Sequence, residues 1–201
     1  MRTATRRYSQ TARAQSAEAT AQRIVDAFLA LLMKQWLDEI TLDRVAEDAG
    51  VTVQTIVRRF GGKEGVLVSS LQAMGQQISA QRATPRGDVE RVIAHLLKDY
   101  ERTGDTVMRL LALELRHPAL LRDIMEYGRG EHRQWVANAF AESLNPLEPK
   151  ARERAIDALV LITDVYSWKL LRRDMARSVA ATAATMKQMI LGTVAEYSKA
   201  N

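Results

Sequence analysis

Cysteine is absent from the 201 residues, which excludes disulfide staples and thiolate metal sites and leaves the redox compartment unmarked. Aromatic residues are sparse, at 5%, and no alternating run of β-branched residues suggests a sheet. Long hydrophobic runs are missing too. The most apolar window, Ala155 to Leu171, is interrupted by Asp157 and Asp164 and is too short and polar to span a bilayer. No apolar stretch of signal-peptide type follows the basic N-terminus, so the expectation is a soluble cytoplasmic protein without membrane contact. Catalytic patterns are also lacking. No serine, histidine and carboxylate set has nucleophile spacing, and no glycine-rich phosphate cradle follows a strand, so an enzyme is not expected. His95, His117 and His132 are irregularly spaced, and neither a metal site nor a cofactor is implied.

Acidic residues are absent from the first seventeen positions, where Arg2, Arg6, Arg7 and Arg13 stand alone before Glu18. Such a segment cannot bury enough apolar surface to fold by itself, and residues 1–17 read as a flexible basic arm. It can neutralise phosphates or be merely solvated; the net charge of +5 does not decide between these.

What remains is abundant in alanine, leucine, methionine, arginine and glutamate, the residues of helices. The periodicity predicts an all-α protein of about nine helices. Ile24, Ala27, Phe28, Leu31 and Leu32 give the first an apolar face over residues 18–37. Thr41 caps a short helix with Val45 and Ala46 inward, and Gly50 ends it. Thr52 opens another, through Phe60, before Gly61 and Gly62. Lys63 begins a fourth helix that runs towards Pro85. Beyond it, Gly104 and Asp105 are read as a break between two helices, Pro118 opens a further one, and two long helices occupy about 150–174 and 178–199.

The two short helices and their glycine turn have the spacing of a helix-turn-helix within residues 18–64. With Ile56 inward, Val53, Gln54, Thr55, Arg58 and Arg59 face outward. Gln54 and Thr55 can address base edges or phosphate, the arginines bring charge, Thr52 leaves helix-start amides for a phosphate, and Lys63 can clamp the backbone. An ordinary helical hairpin with solvated arginines fits the same pattern.

The stretch from Ile24 to Leu67, containing TLDRVAEDAGVTVQTIVRRFGGKEGVL, resembles the N-terminal domain of the TetR family of transcriptional regulators. The resemblance rests on Ala27, Phe28, Thr41, Val45, Ala46, Gly50-Val51-Thr52, Phe60, Lys63, Glu64 and Leu67. It implies that the third helix lies in a major groove and that the lysine opening the fourth contacts phosphate. Val57 departs from the pattern, standing where a tyrosine commonly touches the DNA backbone. The run ITDVYSWKLLRRD resembles a C-terminal segment of some members.

Residues 65–201 are then expected to bind a ligand and to dimerise, joined to the head by the fourth helix. Candidate ligand contacts are Tyr100, Met108, Arg109, Leu111, Glu114, Met125, Trp135 and Trp168, though plain core serves each apolar one as well. Candidate dimer contacts are Ile156, Leu159, Val160, Thr163, Tyr166 and Leu170 of one helix, with Ala183, Met186, Ile190 and Val194 of the last. The expected function is a homodimeric repressor on a palindromic DNA operator, released by an unidentified small-molecule effector. The alternative is a helical adaptor or corepressor that keeps the fold without reading DNA, for which Val57 is the best support.

Overall fold

In a computed structural model of the chain, the backbone is described for residues 3–81 and 87–199, and side chains for 15–81 and 87–198. Among the described residues every element is helical. The chain divides into two compact units, Met1–Met74 and Gly75–Asn201.

The first unit holds α1 (Thr3–Leu32), a 3₁₀ turn at Leu37–Glu39, α2 (Leu42–Ala49), α3 (Val53–Phe60) and the start of α4 (Lys63–Gln81). Ile24, Phe28 and Leu32, spaced four apart on α1, are buried, as are Val45, Ala46 and Ala49 of α2, Ile56 of α3 and Val66, Leu67 and Leu71 of α4. Because α4 contributes those three residues, the unit reaches Met74, ten positions past the expected boundary at 64. Residues 3–17, expected as a flexible arm, are helical. Neither glycine nor proline interrupts them, and extending an existing helix costs far less than nucleating one. Arg2 and the side chains of Arg6, Arg7 and Arg13 lie outside the described residues.

The second unit contains α5 (Val89–Glu114), α6 (Pro118–Ala139), α7 (Ala141–Leu144), α8 (Pro149–Thr163), α9 (Val165–Lys169), a π-helical turn at Leu170–Asp174 and α10 (Val179–Lys199). Its core joins Val92, Leu96 and Leu97 of α5, Val136 of α6, Leu159 of α8, Trp168 of α9, and Met186 and Ile190 of α10.

Two elements differ from the sequence reading. The expected break at Gly104 does not occur, and α5 runs through it. That glycine provides room rather than a turn: a Cβ there would lie 2.4 Å from Cζ3 of Trp168. The expected helix over 150–174 is instead broken at Asp164, whose backbone is extended (φ −69°, ψ 154°). The break is chemically satisfied. The Asp164 carboxylate accepts from the Tyr166 amide at 2.8 Å, and the Thr163 carbonyl accepts from the Tyr100 hydroxyl at 3.0 Å in place of a helical amide.

Candidate nucleic-acid interface

Local chemistry fixes the short helices of the first unit closely. The Thr41 hydroxyl accepts from the Arg44 amide at 3.3 Å, capping α2, and the Thr52 hydroxyl accepts from the Thr55 amide at 3.2 Å, capping α3. Between them Gly50 takes the left-handed conformation (φ 63°), and the Val51 amide donates to the Ala46 carbonyl at 2.9 Å, closing the turn. Gly61 (φ 77°) ends α3 in the same way.

This frame turns Ile56 inward and leaves Gln54, Val57 and Arg58 exposed, with Val53, Thr55, Phe60 and Lys63 half-buried. The reading of Gln54 and Arg58 as outward residues agrees with these positions. Thr55 is partly committed, since its hydroxyl lies 3.0 Å from that of Thr52. Arg59 is also exposed, as expected, and its Nη2 lies 3.7 Å from a carboxylate oxygen of Glu18 on α1. An exposed pair of this kind contributes at most about 1 kcal/mol, so Arg59 can exchange this partner for a phosphate at little cost.

Arg23 of α1 escaped the sequence reading. Its Nε donates to the Ala49 carbonyl at 3.2 Å, anchoring the guanidinium over the C-terminal end of α2. With Thr20, Thr52, Thr55 and Arg58 it lines an open depression beside the turn. No sequence spacing signals this, because the contact joins residues 26 apart. Glu47 lines the same depression, though it also pairs with Arg44 at 3.4 Å.

The charge of the head is uneven. Residues 15–74 carry eight acidic and six basic residues, but α3 has no acid, and three of the six bases are Arg58, Arg59 and Lys63. The four arginines of the first fourteen residues make Met1–Met74 positive overall. The α3 face and the N-terminal segment thus carry the excess of positive charge, while Asp38, Glu39 and Asp43 make the approach to α2 acidic.

In the second unit several expected contacts prove to be internal. Ile156, Leu159, Thr163, Met186 and Ile190, read as dimer contacts, are buried within their own chain, and the Thr163 hydroxyl lies 3.1 Å from Nε2 of His132. Val160, Ala183 and Val194 are half-buried against the same core. Tyr166 and Leu170 are exposed, alongside Leu161, Met189 and Leu191. Residues 158–162 of α8 are apolar all round, and there helical spacing identifies a face without saying which side meets the core.

Among the expected ligand contacts, Tyr100 and Trp168 are buried with their polar atoms engaged. Trp168 donates from Nε1 to Glu101 at 2.9 Å, and the Arg173 guanidinium lies over its ring at 4.5 Å. Glu101 also accepts from Arg172 at 2.7 and 2.9 Å; chiefly through that guanidinium its pKa falls from 4.5 to about 2. Asp105 is lowered likewise, first by its hydrogen bond from Arg173. Glu114 receives both arms of Arg129, each at 3.0 Å, which lowers its pKa. Arg109 donates to the Thr106 hydroxyl at 3.1 Å. Met108, Leu111, Met125 and Trp135 are half-buried. The described residues include no group of three or more carboxylate or histidine side chains placed to hold a metal, and no helix long and apolar enough to cross a membrane.

Comparison with known proteins agrees with this geometry. Residues 24–69 match the model of bacterial regulatory proteins of the tetR family. The chain is 26% identical over 180 residues to the HTH-type transcriptional repressor KstR of Rhodococcus jostii, a match covering 85% of this chain and 82% of that protein. It is 28% identical over 112 residues to the uncharacterized HTH-type transcriptional regulator YvkB of Bacillus subtilis, covering 54% of this chain and 57% of YvkB. In structure it is similar to a tetR-family transcriptional regulator from Streptomyces coelicolor, with a TM-score of 0.63 and 21% identity over 88% of this chain and 79% of the other. The capped α2–turn–α3 unit thus lies in a helix-turn-helix domain of the tetR family of bacterial regulatory proteins, residues 24–69, set in an all-helical chain whose fold is that of a tetR-family regulator.

Proposed function

We propose that the chain is a repressor that binds a palindromic operator as a homodimer and leaves it when a small molecule occupies the second unit. The observation that carries the reading is the acid-free face of α3, where Gln54 and Arg58 are exposed on a helix capped at both ends. Gln54 has the amide geometry to bond adenine at two positions, and Arg58 to bond guanine. Arg23, Lys63 and the N-terminal arginines supply phosphate contacts around it.

One such head covers one half-site, which is too small an interface for tight specific binding. Two heads are supplied by pairing protomers through Leu161, Tyr166 and Leu170, exposed by 68, 57 and 52%, with Met189 of α10. Apolar surface of this extent is the usual mark of a protein interface. The effector is placed among the half-buried Met108, Leu111, Met125 and Trp135, whose flexible and aromatic side chains can repack around a guest. To release DNA it must favour the DNA-incompetent state, and α4, which contributes residues to both units, is the element through which the preference acts.

Selection of bound duplexes from sheared genomic DNA, at moderate salt with unlabelled competitor, tests the proposal. The expected product is a twofold-symmetric site with half-site centres about 34–36 Å apart, bound by two protomers. Binding of all duplexes alike would support the adaptor reading instead.

A further inference from the structure

Val57 is apolar and 44% exposed, in the middle of a helix whose other exposed side chains are polar or charged. Core packing does not account for it, since the buried Ile56 lies about 100° away around the helix axis and Val57 itself stays 44% exposed. Helix stability does not either: a β-branched residue at an exposed helical position is worse than most alternatives. On α3, Val57 lies about 60° around the axis from Gln54 and about 40° from the half-buried Val53, one turn earlier. Two branched side chains thus form an apolar strip along one flank of the polar pair Gln54 and Arg58.

A major groove offers such a strip one apolar partner, the 5-methyl group of thymine. We propose that Val57, with Val53 beside it, reads a thymine methyl next to the base pair addressed by Gln54. The strip adds a specificity contact by exclusion of water, where a hydroxyl-bearing residue would have bonded the backbone. This inference rests on α3 being the helix that enters the groove. A methyl buried against the valine is worth about a fourfold change in affinity.

The test uses the full chain and a duplex selected by it from a random pool. Each thymidine is replaced singly by 2′-deoxyuridine, which removes the methyl and leaves every hydrogen-bonding edge intact, and affinity is read by fluorescence anisotropy at fixed salt. At one or more positions wild-type affinity should fall about fourfold per methyl. Val57→Ala should bind the unmodified duplex more weakly by a similar factor and be indifferent to uracil at that position, while Arg58→Ala keeps the full response. Because Val57 is exposed and alanine is the better helix former, its truncation should not lower the melting temperature. If no thymine responds, or if Val57→Ala responds as fully as wild type, the inference is overturned while α3 still reads DNA. If selection enriches no sequence, the underlying reading fails and takes the inference with it.

Discussion

Replacing Gly104 by alanine should destabilise the protein, against the ordinary expectation for a glycine within a helix. In the interior of an exposed helix the change gains about 0.5–1 kcal/mol. Here the new methyl would meet Trp168 at 2.4 Å from Cζ3, 2.6 Å from Cη2 and 2.9 Å from Cε3. Carbon atoms rest at about 3.5–4.0 Å, so the ring must retreat by roughly 1 Å. It has nowhere to go. The side chain is fully buried, its Nε1 is held by Glu101, and Arg173 lies over the ring. Overpacking costs about 1–3 kcal/mol, and a contact of 2.4 Å against a pinned ring belongs to the upper part of that range, about 2–3 kcal/mol, which leaves a net loss of about 1–2.5 kcal/mol once the helical gain is subtracted. For a chain of this size that is a melting temperature lower by roughly 2–10 °C. Urea unfolding followed by far-UV circular dichroism measures it. Gly130→Ala on α6, where a Cβ meets nothing within 4 Å, is the control and should stabilise by about 0.5–1 kcal/mol. In a Trp168→Phe background the smaller ring removes the clash, and Gly104→Ala should become neutral or favourable. Equal or greater stability of Gly104→Ala, or an undiminished cost beside Phe, would refute the reasoning.

Glu101→Gln should cost about 1–2 kcal/mol, because the charge-assisted bonds from Arg172 are lost at a site 31% exposed and partly screened. The depressed pKa gives the sign with pH: the wild-type contribution is full above 4.5 and disappears as pH falls towards 2, so acid titration of stability should be flatter in the variant. Lys63→Ala and Arg23→Ala should each weaken binding to all duplexes and reduce the salt slope by about one; an unchanged slope removes that residue from the phosphate contacts. Leu161→Glu combined with Leu170→Glu should yield monomers by sedimentation with an unchanged helical spectrum, whereas persistent dimers would place the interface elsewhere.

Much of the head is legible from sequence because each of its decisions is local. Thr41 and Thr52 cap, Gly50 and Gly61 terminate, and Ile56 points inward, all within a few residues of one another. The anchoring of Arg23 by Ala49 and the pairing of Arg59 with Glu18 depend on contacts across the fold and leave no periodic trace. The second unit hides more. Gly104 carries the same letter whether it breaks a helix or admits an indole, and only Trp168, 64 positions later, decides between them. Asp164 interrupts an apolar stretch that would otherwise continue, because the Tyr100 hydroxyl satisfies the Thr163 carbonyl and the Asp164 carboxylate satisfies the Tyr166 amide that the break exposes. The expected dimer face was displaced for a related reason: residues 158–162 of α8 are apolar all round, and burial of Leu159 and Thr163 is settled by what packs against them.

The central claim is that α3 reads bases through Gln54. Affinities of wild type and Gln54→Ala should be measured at one salt concentration on the selected duplex and on duplexes with single A·T pairs exchanged. At one position wild type should lose about 1–3 kcal/mol on exchange while Gln54→Ala loses nearly nothing there, and both should bind random DNA equally. Equal losses for the two proteins at every base pair would contradict the account.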